Sequence, residues 1–125
     1  MKRISVFVPE QAVIEAITPA YRLFKTANDF LRASGKEAAF QVEYVGMSPF
    51  VSTNDGEYTV RTDRHIQDVD RTDLLVLPAL YGDMGRALQA NAAALPYIKA
   101  LYATGAEVAS LCVGAFLLAE SGLVN

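Results

Sequence analysis

A chain of 125 residues, 52% hydrophobic and 20% charged, can bury the core of one globular domain and is too apolar to stay disordered. Its formal net charge of -3 excludes the dense Lys and Arg face that a phosphate backbone demands, so direct binding of DNA by these residues is not expected. The single cysteine excludes an internal disulfide, Met1-Lys2-Arg3-Ile4-Ser5 has no signal-peptide pattern, and the apolar runs are too short or interrupted to span a bilayer; a cytoplasmic protein with no membrane partner is expected.

Ile4 to Val8 is a nearly continuous apolar run closed by Pro9, the pattern of a buried strand. A helix follows. Thr18-Pro19 reads as an N-cap with proline at the first helical position, Leu23, Ala27, Phe30 and Leu31 share a face, and Gly35 stops it. Val13 to Ile17 is the alternative first turn of the same helix, kinked at Pro19. Phe40 to Val45 alternates apolar and polar, as a strand nearer a sheet edge does. Asp55-Gly56 within Phe50 to Val60 signals a hairpin that leaves the main sheet. Leu74 to Leu77, between Asp73 and Pro78, is expected to be a central parallel strand. Met84 to Ala90 is a short helix, and a second begins between Asn91 and Pro96, with Leu95, Ile98 and Tyr102 on one face before Gly105. Glu107 to Leu111 is the fourth strand and Ala115 to Glu120 the helix after it. Strands separated by helices predict an α/β fold: a flavodoxin-like, doubly wound, mainly parallel sheet with helices on both faces. Because such a sheet would end on an open edge near Asn125, the chain is expected to be a fragment, a single but incomplete domain spanning 1–125.

Cys112 lies between the fourth strand and its helix, with the small residues Ser110 and Gly114 two positions either side, as a strained nucleophile elbow requires. The start of the following helix would favour thiolate over thiol, and ligands of open α/β sheets gather at this carboxyl edge. The loop Pro78-Ala79-Leu80-Tyr81-Gly82 reaches the same edge, where its amides can face an anion. Ala79, Leu80, Tyr81, Val113 and Gly114 are therefore the candidate ligand-binding residues. No His, Cys or carboxylate cluster has metal-ligand spacing, and neither a metal nor a cofactor is expected.

The stretches LLVLPALYGD (74–83) and ANAAALPYIKALYATGAEVASLCVGAFLLAESGLVN (90–125) resemble the amidotransferase-like N-terminal domain of AraC-type transcriptional regulators, the GlxA-like group of the class I glutamine amidotransferase superfamily. In the wider superfamily, which includes the intracellular-protease and Parkinson-associated deglycase branches, the cysteine sits on an elbow and a carboxylate from the loop after strand one hydrogen-bonds it. The resemblance puts Glu15 in that role, with Glu10 the weaker match. Two features depart from the enzymes. Ala79-Leu80 replaces the usual Gly-Gly, and the histidine beyond the elbow is missing, since His65, the only histidine, falls before strand three at the end opposite Cys112 and reads as structural or solvated.

The resemblance thus implies a ligand-sensing and dimerising domain of a regulator, with a small-molecule effector, a homodimer, and DNA contacted only through a helix-turn-helix module beyond this chain. The alternative is a cysteine-dependent hydrolase, an amidase, protease or deglycase using Cys112 with Glu15. A third possibility is a dimerisation scaffold alone.

Overall fold

The computed structural model of the chain describes residues 1–80 and 82–110. Strand β1 (Lys2–Val8) is followed by α1 (Ile14–Ala33), β2 (Phe40–Gly46), β3 (Phe50–Thr53), β4 (Tyr58–Arg61), β5 (Arg64–His65), β6 (Leu74–Leu77), α2 (Met84–Ala90), α3 (Leu95–Ala103) and β7 (Glu107–Ser110). Five strands form one sheet in the order β5-β2-β1-β6-β7, and every pairing in it is parallel. With the two-residue β5 set aside, this is the doubly wound order expected from the sequence. The expected Ala115–Glu120 helix and Leu111, the last residue of the expected fourth strand, lie outside the described residues.

Alternation along the strands builds a core on each face. Ile4, Val6 and Val8 of β1 join Val42 and Val76 under α1, with Ile17 of that helix fully buried among them. Phe7, Val45, Leu75 and Leu77 point the other way, against Ile98 and Leu101 of α3 and the connection carrying Ile66 and Val69. The hairpin β3–β4 forms its own two-stranded antiparallel sheet, and Val51 and Val60 dock it onto the α1 side. Among the described residues no helix is long and apolar enough to cross a membrane.

Both helix stops expected at glycine are present. Gly35 (φ 77) donates to Arg32 O at 3.0 Å while Lys36 donates to Leu31 O at 2.8 Å; Gly105 (φ 105) and Ala106 repeat the pattern with Tyr102 O and Leu101 O. Each pair of bonds satisfies carbonyls that the last helical turn leaves open.

The start of α1 departs from the simpler expectation. Thr18 is no N-cap: the helix begins at Ile14, Pro19 lies inside it, and Thr18 Oγ1 donates to Ile14 O at 3.2 Å. Of the expected face Leu23, Ala27, Phe30 and Leu31, only Ala27 and Leu31 are half-buried. Ile17, Tyr21, Phe24 and Asn28 face the sheet, whereas Leu23 and Phe30 are 65% and 71% exposed. On α3, Leu95 and Ile98 pack as expected, while Leu101 rather than the exposed Tyr102 completes the face. β2 does lie near the sheet edge: only Val45 and Gly46, at its carboxyl end, are covered by the two-residue β5.

Candidate functional site

Three loops meet beyond the carboxyl ends of the central strands: Pro9–Val13 after β1, the β3–β4 turn, and Pro78–Leu80 after β6. The first is fixed from every side. Gln11 N donates to Ser52 O at 3.2 Å, Asn54 N to Ala12 O at 3.0 Å, and Val13 N to Ala79 O at 2.9 Å. Ala12 forms β-bridges to Thr53 on one flank and Leu80 on the other. Asn91, buried at the end of α2, accepts from Glu10 N at 2.8 Å and donates back to Glu10 O at 2.9 Å.

Backbone strain gathers at the same place. Gln11, Asn54 and Asp55 have φ of 62, 51 and 57, the left-handed region that costs a residue with a Cβ roughly 1–2 kcal/mol. Reciprocal side-chain bonds hold two of them: Gln11 Nε2 donates to Asp55 Oδ1 at 3.2 Å and Asp55 N to Gln11 Oε1 at 2.8 Å.

Glu15 stands on the first turn of α1, exposed, with its carboxylate accepting from Asn54 Nδ2 at 2.9 and 3.3 Å. It lines a largely apolar groove of about 750 Å³ together with Val13, Ala16, Ala79, Val76 and Ala109. Glu15, one expected ligand residue and the strand leading toward Cys112 thus share one concavity. Ala79 and Leu80 are both buried, and the Ala79 carbonyl accepts from Val13 N, so the loop is braced against the one after β1. Leu80 pairs with Ala12 through its backbone and does not line the groove. Glu10, the weaker candidate, has its backbone clamped by Asn91 and does not line the groove either. Tyr81, Cys112, Val113 and Gly114 lie outside the described residues.

A second, polar cleft of about 590 Å³ opens between the hairpin tip and α2, lined by Gln11, Asp55, Asp83, Arg86 and Gln89. Asp83 is already engaged as the α2 N-cap, accepting from Arg86 N at 3.2 Å. Among the described residues no group of three or more His, Cys, Asp or Glu side chains is arranged to hold a metal ion.

His65 is not at the amino end of the sheet, as its place before β6 suggested. Pairing with Gly46 brings it to the carboxyl end of β2, on the outer strand. Its Nδ1 accepts from Gln67 N at 3.1 Å and its ring meets Tyr97 edge-on at 6.2 Å, a local structural role. Beside it, the Glu43 carboxylate takes Nε and Nη2 of Arg64, a bond that raises the guanidinium further above its ordinary range. Sequence reasoning missed Gln11, Asn54 and Asn91; only Asn54, beside the Asp55-Gly56 turn, carried a local signal.

Comparison with solved structures agrees with this architecture. A putative transcriptional regulator from Vibrio parahaemolyticus superposes with a TM-score of 0.79 at 22% identity, over 98% of this chain and 62% of its own. A DJ-1 superfamily protein from Agrobacterium tumefaciens gives 0.71 at 20% identity, over 100% and 61%. An AraC family transcriptional regulator from Pseudomonas putida gives 0.63 at 16% identity, over 99% and 63%. The chain therefore spans about three fifths of the length of each of these structures. No curated protein matches it. The sequence model of the DJ-1/PfpI family matches residues 2–125, nearly the whole chain, and the protein belongs to the DJ-1/PfpI family.

Proposed function

We propose that this chain is the ligand-sensing and dimerising part of an AraC-type transcriptional regulator, cytoplasmic, whose small-molecule effector enters the groove beside Glu15 and whose DNA contacts are made by a further module. One observation carries the reading: the three loops at the carboxyl edge brace one another so fully that Ala79 and Leu80 are buried and the Ala79 carbonyl is consumed. A braced loop presents a preformed binding surface, as small-molecule sites generally do. The likeness in fold to two regulators supports the same reading.

A cysteine-dependent hydrolase is the second reading, favoured by the presence of the Glu15 carboxylate in the groove that Ala109 also lines. One set of measurements separates the two. A thermal-shift screen of small metabolites is run on wild type, Glu15→Gln and Cys112→Ala, with amidase, esterase and glyoxalase assays alongside. A compound that stabilises wild type and loses its effect in Glu15→Gln, without turnover, supports the sensor. Turnover abolished by Cys112→Ala overturns it in favour of the hydrolase.

A further inference from the structure

Helix α1 lacks a cap of its own. Its N-cap residue, Val13, is extended (φ -86, ψ 113) and makes no side-chain cap bond. The missing acceptor comes from 40 residues along the chain, where Asn54 Oδ1 accepts from Ile14 N at 2.8 Å. That bond fixes which way the amide faces, because a backbone N–H can only donate and so must meet the oxygen. Nδ2 is left to face Glu15, at 2.9 and 3.3 Å from its two carboxylate oxygens.

We propose that Asn54 is a positioning residue for Glu15, using one side-chain amide both to start α1 and to set where the carboxylate meets the groove. The amide is itself immobile: Asn54 is 7% exposed, its N–H is bound to Ala12 O, its C=O accepts from Glu57 N at 3.2 Å, and its φ is 51. An exposed glutamate on a first helical turn ordinarily spreads over several rotamers, losing and regaining the entropy of a long side chain. Glu15 does not, since Asn54 holds both oxygens. The hairpin thereby reports to the groove through one residue, and the proposal rests on the reading of Glu15 as the neighbour of Cys112.

The test swaps the pair. Asn54→Asp keeps the oxygen that caps Ile14 and replaces the donor facing Glu15 by a second acceptor; the left-handed backbone tolerates aspartate as it does asparagine. Glu15→Gln in that background restores the bond with donor and acceptor exchanged. Melting temperatures and the pH profile of Cys112 alkylation by iodoacetamide are read for Asn54→Asp, Glu15→Gln and the double variant. Asn54→Asp is expected to melt lower than wild type and the double variant to recover. In alkylation, Glu15→Gln should displace the midpoint to lower pH by about one unit, roughly tenfold in thiolate below the midpoint, because the carboxylate that opposes the thiolate is gone, and the double variant should fall between it and wild type, because Asn54→Asp returns a carboxylate beside position 15. Asn54→Asp alone should move the midpoint above that of wild type, because a second carboxylate then stands beside the first and pushes it from its place. A double variant no more stable than Asn54→Asp overturns the proposal, as does a wild-type midpoint in Asn54→Asp when that of Glu15→Gln is displaced. If Glu15→Gln itself alkylates as wild type, it is the reading of Glu15 as the thiol's neighbour that fails, and recovery of stability in the swap alone decides for or against the role of Asn54.

Discussion

Replacing Asn91 by alanine tests whether the loop after β1 is held from a distance. Asn91 is 3% exposed and makes three side-chain bonds, accepting from Glu10 N at 2.8 Å and donating to Glu10 O at 2.9 Å and Ala87 O at 2.7 Å. Each such bond contributes about 1 kcal/mol net, and partners left unmet away from water add to the cost, so the substitution should remove about 3 kcal/mol. An unfolding entropy of about 2.1 cal/mol/K per residue makes that roughly a 10 °C fall in melting temperature for a chain of this length. Asn91→Asp sharpens the test, because a carboxylate keeps the acceptor for Glu10 N and turns the donors into charge against two carbonyls. At neutral pH it should be at least as damaging as alanine. Its carboxyl, disfavoured as an anion in the fold, would titrate above the unfolded value near 4, so stability relative to wild type should return as pH falls toward about 4 and be lost as pH rises. Melting curves from pH 4 to 8 and hydrogen exchange at Glu10 N supply the measurements. A fall under about 3 °C for Asn91→Ala, with Glu10 N still protected, would show that the hairpin and the β6 loop hold the segment unaided.

Three further perturbations probe the surrounding frame. A Cβ on Gly46 would lie 2.8 Å from Thr62 Cγ2 and 3.3 Å from Val8 O, and Thr62 is anchored by its hydroxyl bond to Ser48 O at 2.8 Å, so Gly46→Ala should cost about 1–3 kcal/mol in urea unfolding and Thr62→Ser in that background should recover part of it. Asp73 accepts from Arg3 N at 2.8 Å, which holds its carboxyl below the usual carboxylate range. Its contribution is therefore present above the unfolded value near 4 and lost as pH falls through the lower folded one, and Asp73→Asn should flatten stability over that acid window. Burial, with Tyr21 stacked beside it, pushes the Tyr44 hydroxyl up to about 12. Stability should be full below about 10, the free-tyrosine value, and decline as pH rises from there to about 12; Tyr44→Phe should remove that decline and the highest-pH part of the phenolate absorbance titration.

The readable parts of the fold were those governed by neighbours in sequence. Continuous apolar runs marked β1 and β6, Asp55-Gly56 marked the hairpin, and Gly35 and Gly105 marked helix ends, since each depends on a few adjacent dihedrals. The face of α1 was not readable, because two stripes compete: Ile17, Tyr21, Phe24 and Asn28 on one side, Leu23, Ala27 and Phe30 on the other. Apolarity favours the second, yet the sheet takes the first, with Asn28 inside it. The two-residue β5 carries no period at all, so the position of His65 at the carboxyl edge could not be inferred. At the candidate site, Glu15 and Ala79 do face one groove, while Leu80 turns away to bridge Ala12.

Three buried asparagines explain most of what escaped. Asn28 donates to Phe40 O and accepts from Ala39 N and Phe40 N, tying the start of β2 to α1; Asn54 starts α1; Asn91 fixes the exit from β1. In sequence an asparagine reads as a turn former, because its amide competes for nearby backbone groups. Buried, the same amide carries a donor and an acceptor that match one exposed N–H and one exposed C=O, so it closes irregular backbone where no ladder can reach. Partners 11 to 81 residues away leave no local trace. The two at the carboxyl edge act on opposite ends of the loop carrying Gln11, and they join the Gln11–Asp55 bonds in holding its left-handed backbone. Its geometry is consequently set by Asn54 and Asn91 together with the backbone bonds to Ser52 and Ala79, and Glu15 stands at the groove where that frame places it.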